Sequence, residues 1–151
     1  MRERFLVVVG CQKEKLAEIP KRDARAILDF INSEAHTYSS VISILRKRMD
    51  GDTNFVRSGD KISTDTMDYL DYQSDTVICV PGYDVDVTSF RRDAHYDIVG
   101  ISTAASVMCI AMSMYSAGLE ISILKDYCKD RKGLDAYAIK IFNAYMPGVV
   151  V

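Results

Sequence analysis

Residues 97–130 read "DIVGISTAASVMCIAMSMYSAGLEISILKDYCKD", a stretch in which two β-rich segments enclose a helical one. The first β-rich segment (97–102) ends in small polar residues, and the second (119–124) follows Gly118. Between them, apolar residues recur at helical spacing at Val107, Ile110, Ala111 and Met114. The order strand, helix, strand predicts a right-handed βαβ unit with parallel strands.

The same pattern extends toward the N-terminus. Three more β-rich runs, "FLVVV" (5–9), "SVISIL" (40–45) and "TVICV" (76–80), are almost continuously apolar, as expected for strands that are covered on both faces. Helical patterns occupy 21–35 and 133–146. The sequence therefore predicts a three-layer α/β fold, in which helices cover both faces of a parallel sheet.

Two segments are less regular. The polar stretch 47–75 predicts a surface excursion with one short helix near 64–71, and "GVVV" (148–151) is a candidate sixth strand. Excursions that leave the carboxyl ends of parallel strands line the ligand crevice of such sheets.

Size and charge narrow the class of protein. A chain of 151 residues with 48% apolar residues predicts one domain, residues 1–151. The net charge is −2, and the basic residues are scattered except at 45–49, so we expect no nucleic-acid partner. The apolar run at 5–9 is too short for a signal peptide or a membrane span, which predicts a cytoplasmic protein without a membrane partner.

The four cysteines show no spacing typical of metal ligands. Cys11, Cys79, Cys109 and Cys128 are interpreted as reduced and mostly structural, with Cys109 left open as a reactive thiol. We expect neither a metal nor an organic cofactor.

The start of the helix after 97–102 is the first candidate site. Ser102, Thr103 and Ser106 lie where unpaired N–H groups and the helix dipole favour anions. Capping alone also explains these residues, and both interpretations stay open.

Residues 97–130 resemble the isochorismatase-like cysteine hydrolases, which include nicotinamidases and isochorismatases. Weaker similarities lie at 5–14 and 77–84. The positions that match the family pattern are Gly100, Thr103, Val107, Gly118, Asp126 and Cys128. The resemblance implies a sheet in the order 3-2-1-4-5, a dimer or tetramer, and a non-proline cis peptide bond at Ile101–Ser102 or Ser102–Thr103.

The residues at the family's catalytic positions differ. The resemblance places a nucleophilic Cys, an activating Asp and a supporting Lys at positions that here hold Ser106, Gly10 and Val80. The Asp-x-His metal motif of some nicotinamidases also has no counterpart after the second strand. A serine hydroxyl without a base is a poor nucleophile, so the resemblance implies a pseudoenzyme that binds a small planar or anionic metabolite.

Two other functions stay open. An active hydrolase of amide C–N bonds would need Cys109 or Cys11 as nucleophile, with Asp84 or Asp50 as base. An oligomeric structural subunit would use its surface instead of its crevice. The other candidates at the rim of the crevice are the carboxylates Asp52 and Asp86 and the anion-binding side chains Arg46, Arg48 and Arg57.

Overall fold

The computed structural model describes residues 2–46, 76–80 and 82–151, which form a five-stranded parallel sheet. The strands lie in the order β3-β2-β1-β4-β5, which confirms the predicted order. Their bounds are β1 Glu3–Val9, β2 Ser40–Arg46, β3 Thr76–Val80, β4 Ala94–Ile101 and β5 Glu120–Lys129.

In the described part of the chain, four α-helices flank the sheet, and their bounds are α1 Lys13–Leu16, α2 Lys21–Glu34, α3 Met108–Ser116 and α4 Asp135–Tyr145. The alternation of side chains along β1 shows why both faces need a cover. Val7 and Val9 pack into a core with α3 and α4, whereas Leu6 and Val8 pack into a second core with α2. All four side chains are at most 1% exposed, so the three-layer α/β prediction is confirmed.

Several elements differ from their predicted bounds. The α-helix that was expected to begin near Thr103 begins at Met108, because a π-helical turn occupies Thr103–Val107. Strand β5 runs five residues beyond the predicted end at 124, and α1 was not predicted. The predicted helix near 64–71 lies outside the described residues.

The C-terminal residues meet the sheet beside β5. The amide of Ile123 donates a hydrogen bond to the Val149 carbonyl over 2.8 Å, and Val151 donates one to Ile123 over 3.0 Å. Ile123 and Val150 form only an isolated parallel bridge, so the expected sixth strand is reduced to this single pairing.

The amino end of the sheet is held by one buried carboxylate. Asp97, which is 2% exposed, accepts hydrogen bonds from the Tyr38 hydroxyl at 2.7 Å and from the Arg4 guanidinium. His95 Nε2 lies 3.3 Å from the other oxygen of Asp97. His36 lies in a short turn before β2, so both histidines are at the amino end of the sheet.

Among the described residues, no helix has both the length and the apolar character needed to cross a membrane.

Candidate functional site

The carboxyl ends of β1, β3 and β4 meet at one crevice. Gly10 follows β1, Val80 ends β3, and Ser106 lies in the turn after β4. All three residues line one narrow cavity, together with Lys15 and Arg46. The structure thus brings together the three residues that the sequence placed at the family's catalytic positions.

A larger cavity of about 140 Å³ shares part of this lining. Lys15, Arg46, Tyr83 and Ser106 border both cavities. The larger cavity is also bordered by Ser102, Ala104, Ala105, Asp130, Arg131, Lys132 and Leu134. We call the two cavities together the crevice. Counting described residues alone, four of its lining residues are basic and one is acidic.

Gln12 fixes Arg46 at the crevice wall. Its side-chain amide donates to the Arg46 carbonyl over 2.9 Å, and its side-chain oxygen accepts from the Arg46 amide over 2.9 Å. These bonds tie the segment after β1 to the end of β2. The Arg46 guanidinium lies over the ring of Tyr83, 4.7 Å from its centroid, which adds a cation–π contact. Arg46 therefore borders the crevice, as expected for an anion-binding residue.

Lys15 is the site residue that sequence reasoning missed. It lies in the four-residue helix α1, and its exposed fraction is 5%. Gly10 has a φ of +61°, and a Cβ at this position would lie 2.5 Å from the Ile101 carbonyl oxygen and 2.9 Å from Lys15 Nζ. Because Gly10 has no side chain, there is room for the Lys15 amine to lie close to it. Lysine is ordinarily a surface residue, so the residue type did not indicate a site. The one available signal was that Lys15 follows Gly10 closely in the chain.

The Lys15 amine is held in an unusual electrostatic environment. Burial, and to a smaller extent the positive charges of Arg46 and Arg131, lower its pKa from 10.5 to about 8. Glu18 opposes this shift, but it forms its ion pair with Arg131. In the part of the chain that the structure describes, no carboxylate forms an ion pair with Lys15.

The turn after β4 is held by two aspartates. The Asp130 carboxylate accepts hydrogen bonds from the amides of Ala104 at 2.8 Å, Lys132 at 2.9 Å and Leu134 at 3.1 Å. Thr103 Oγ1 donates to Asp135 over 2.9 Å. Thr103 is 1% exposed and does not line either cavity, so the structure places it in the support of the turn and not at the ligand surface.

Ser102 and Ser106 remain at the crevice. The Ser102 hydroxyl borders the larger cavity and accepts a hydrogen bond from the Arg131 amide at 3.3 Å. Ser106 is 6% exposed and borders both cavities. The peptide bond Ile101–Ser102 is cis, at the first of the two positions that the resemblance implied.

Neither candidate thiol is activated. Burial raises the pKa of Cys11 to about 12, although the nearby Lys15 charge acts in the opposite direction. Burial and the negative charge of Asp84 also raise the pKa of Cys109. Neither residue lines the crevice, so the structure does not bring a relocated thiolate to it.

The candidate carboxylates lie elsewhere. Asp84 is exposed and accepts hydrogen bonds from the Ser113 hydroxyl at 3.0 Å and the Val85 amide at 2.8 Å. It does not line the crevice, and Asp86 accepts from Thr88 in an exposed turn. The candidates Arg48, Asp50, Asp52 and Arg57 lie outside the described residues. Within the described ranges, no cluster of three or more His, Cys, Asp or Glu side chains is arranged to hold a metal ion.

Solved structures resemble the chain over almost its whole length. A nicotinamidase/pyrazinamidase from Bacillus subtilis matches with a TM-score of 0.76 at 14% identity and covers 100% of both chains. The chain has the isochorismatase-like fold. A pyrazinamidase/nicotinamidase from Streptococcus mutans matches with a TM-score of 0.73 at 11% identity, covering 98% of this chain and 99% of that one.

An isochorismatase-like hydrolase from Alkaliphilus metalliredigens gives a TM-score of 0.74 at 10% identity, covering 95% of this chain and 91% of the other. No protein-family model and no curated protein sequence matches the chain. At such low identity, the likeness establishes the fold and leaves the chemistry to be argued from the crevice.

Proposed function

We propose that this protein is a catalytically degenerate isochorismatase-like protein that binds a small anionic metabolite in the crevice. The observation that carries the proposal is Lys15, a buried lysine beside Arg46 and Arg131 whose amine has no carboxylate partner among the described residues. A buried charge is costly unless a partner compensates for it, so an anionic ligand is the partner that this site lacks.

The local charges favour such a ligand. Lys15, Arg46, Arg131 and Lys132 border the larger cavity, and Asp130 is the only acidic residue of its lining within the ranges that the structure describes. The Asp130 carboxylate is already occupied by three backbone amides, and Arg131 is paired with Glu18. Lys15 and Lys132 therefore remain as positive groups at the cavity, which Arg46 also borders, and their charges attract an anion.

The residues at the family's catalytic positions support the absence of thiol-dependent hydrolysis. Ser106 replaces the nucleophilic thiol, and Gly10 and Val80 carry no group that can move a proton. The pKa values of Cys11 and Cys109 are raised, which favours the unreactive thiol at both positions. An amidase that works through a cysteine thiolate is therefore the weaker hypothesis.

The cavity volume limits the size of the ligand. A space of about 140 Å³ suits a small metabolite. The half-exposed ring of Tyr83 borders the same space, which favours a planar group beside the anionic one.

Calorimetric titration at pH 7 and low salt tests this proposal. The panel contains small carboxylates and inorganic phosphate, with nicotinamide as the neutral amide. We expect at least one anion to bind and nicotinamide not to bind. A ligand present at 100 times its Kd should stabilise the protein by about 2.7 kcal/mol, which thermal unfolding reports independently.

Two variants make the test specific. Lys15→Met should abolish anion binding, whereas Lys140→Met, which removes an exposed lysine from α4, should leave it unchanged. Equal anion binding by the wild type and Lys15→Met would contradict the proposal. Release of ammonia from nicotinamide would contradict the degenerate status and support the hydrolase, as would rapid iodoacetamide labelling of Cys11 or Cys109 with an apparent pKa below about 7.

A further inference from the structure

We propose that the metabolite carries an aldehyde or ketone next to its anionic group, and that Lys15 Nζ binds this carbonyl as a reversible imine. The inference rests on the proposed function, because it uses the same crevice and the same anionic ligand. It adds the chemical class of that ligand and assigns Lys15 a covalent role.

The first argument is the position of the amine. Lys15 borders both parts of the crevice and is 5% exposed, and its Nζ lies close to Gly10, 2.9 Å from where a Cβ of that lining residue would stand. The neighbouring Gly10 has no side chain that competes for this space. A ligand in the crevice therefore lies beside a primary amine.

The second argument is the protonation state of Lys15. Only a neutral amine attacks a carbonyl, and a lysine with a pKa of 10.5 is almost wholly protonated at pH 7. Burial, Arg46 and Arg131 bring the Lys15 pKa to about 8, while Glu18 and Cys11 act in the opposite direction. Roughly a tenth of the amine is then neutral at pH 7. Burial and cationic neighbours are the conditions that activate lysines for imine formation.

The third argument is the separation of roles in the crevice. Arg46, Arg131 and Lys132 border the larger cavity beside Lys15, so an anionic group next to the carbonyl lies among positive charges while Lys15 Nζ, which attracts the same anion, meets the carbonyl carbon. Ser106 places a hydroxyl group in the same cavity, where it can hydrogen-bond to the carbonyl oxygen.

The step balances without any redox partner. The lone pair of the neutral amine forms a C–N bond to the carbonyl carbon, and the carbonyl π electrons move to oxygen. A proton passes from nitrogen to that oxygen, which gives a carbinolamine. Loss of the hydroxyl group with one more proton releases water and leaves the imine, and addition of water reverses the sequence.

The experiment compares carbonyl acids with their alcohol analogues. The protein is incubated with glyoxylate or pyruvate, or with glycolate or lactate, in the presence of cyanoborohydride, which reduces an imine to a stable secondary amine. Intact mass and peptide mapping then locate the adduct. We expect one adduct from glyoxylate or pyruvate on Lys15, formed at least tenfold faster than on Lys132, the exposed lysine at the same cavity. Glycolate and lactate should give none.

A variant and a competition experiment complete the test. Lys15→Arg keeps the positive charge and removes the amine, so it should lose the adduct, whereas Lys140→Arg should keep it. Because Lys15→Arg could disturb the fold, the wild-type protein is also labelled in the presence of excess glycolate, which should slow modification of Lys15 and leave Lys132 unaffected.

The outcomes separate the two proposals. If small anions bind but glyoxylate and pyruvate leave no adduct on Lys15, the imine is excluded and the anion site stands. If no anion binds and adducts form equally on exposed lysines, both proposals fail. Equal trapping in the wild type and Lys15→Arg would also overturn the imine.

Discussion

The absence of a side chain at Gly10 permits the burial of the Lys15 amine beside it. A side chain at Gly10 would collide with the Ile101 carbonyl and with the Lys15 amine, so the glycine and the buried lysine depend on each other. Burial disfavours the charged form of a lysine, so the protonated Lys15 amine lowers the stability of the unliganded protein.

The cost gives a prediction with a defined sign. Folding lowers the pKa of Lys15 from 10.5 to about 8. This shift destabilises the folded protein at every pH at which the unfolded chain keeps the Lys15 amine protonated. The free energy of unfolding should rise between pH 8 and pH 10.5, where the unfolded chain holds the extra proton. Below pH 8, Lys15→Met should stabilise the protein by about 3 kcal/mol, and this gain should vanish above pH 10.5.

Urea unfolding at pH 7 and at pH 10.5 measures this difference. Lys140→Met is the matched control and should show no gain at either pH. Destabilisation by Lys15→Met at pH 7, with no change at pH 10.5, would show that the lysine is not penalised by burial.

A second prediction concerns Ser106. The single change Ser106→Cys should not produce amidase activity on nicotinamide, because Gly10 and Val80 still lack the groups that activate a thiol and protonate the leaving amine. Ammonia release is measured against a Bacillus subtilis nicotinamidase as the active reference. Turnover near that of the reference would show that the thiol at position 106 was the one catalytic group that the protein lacked.

At the scale of elements, Asp130 joins the end of β5 to the turn after β4. Its carboxylate accepts three backbone amides, from Ala104, Lys132 and Leu134, and it is 5% exposed. Asp130→Ala should destabilise the protein by about 3 kcal/mol, because it leaves three part-buried amide donors without their acceptor. The exposed Asp126→Ala, in β5 four residues earlier, is the control and should cost under about 0.5 kcal/mol.

Chemical denaturation measures both variants, and amide hydrogen exchange at Ala104, Lys132 and Leu134 should speed up only in Asp130→Ala. Equal stability of the two variants would mean that the bonds of Asp130 contribute little to the fold.

The elements themselves were largely predictable. The strands were predictable because β1, β2 and β4 are buried along most of their length and are therefore rich in apolar residues. The short helix α1 was not predicted, because four residues are too few to show the periodicity of apolar side chains that marks a helix. The α-helix after β4 begins later than expected because Thr103 and Ala104, in the π-helical turn Thr103–Val107, donate hydrogen bonds to Asp135 and Asp130. These acceptors lie 26 to 32 residues further along the chain.

The site was less predictable than the fold. Gly10, Val80 and Ser106 could be placed together because β1, β3 and β4 are parallel strands of one sheet, and these residues lie at or just after the carboxyl ends of those strands. Arg46 was likewise expected at the end of a strand. The burial of Lys15 depends on the missing side chain of Gly10 and on Arg131, which follows β5, so it became visible only when the chain was folded.

At the scale of the whole molecule, the exposed face of α4 bears on the predicted homo-oligomer. Tyr137, Ile141 and Tyr145 lie four residues apart and are 67%, 37% and 73% exposed. Side chains at this spacing share one helix face, and a large exposed apolar patch is typical of a protein interface. We predict that a second copy of the chain covers this face in a dimer.

Light scattering coupled to size-exclusion chromatography measures the mass. The wild type should elute as a dimer at micromolar concentration, and Tyr145→Lys should shift it to the monomer. Lys140→Glu changes the charge of a neighbouring position on the same helix and should leave the dimer intact. A monomeric wild type at 100 times that concentration would refute the predicted dimer.

The four cysteines differ in burial, and this difference has a practical use. Cys79 is exposed, Cys109 is half-buried with a raised pKa, and Cys11 and Cys128 are buried with pKa values of about 12. One equivalent of a maleimide dye at neutral pH should therefore attach first to Cys79, without removal of any other cysteine. Neighbouring residues of a strand point to opposite faces, so a dye on Cys79 leaves Val80 and the crevice unobstructed. The native sequence thus provides its own attachment point for a fluorescent sensor of ligand entry.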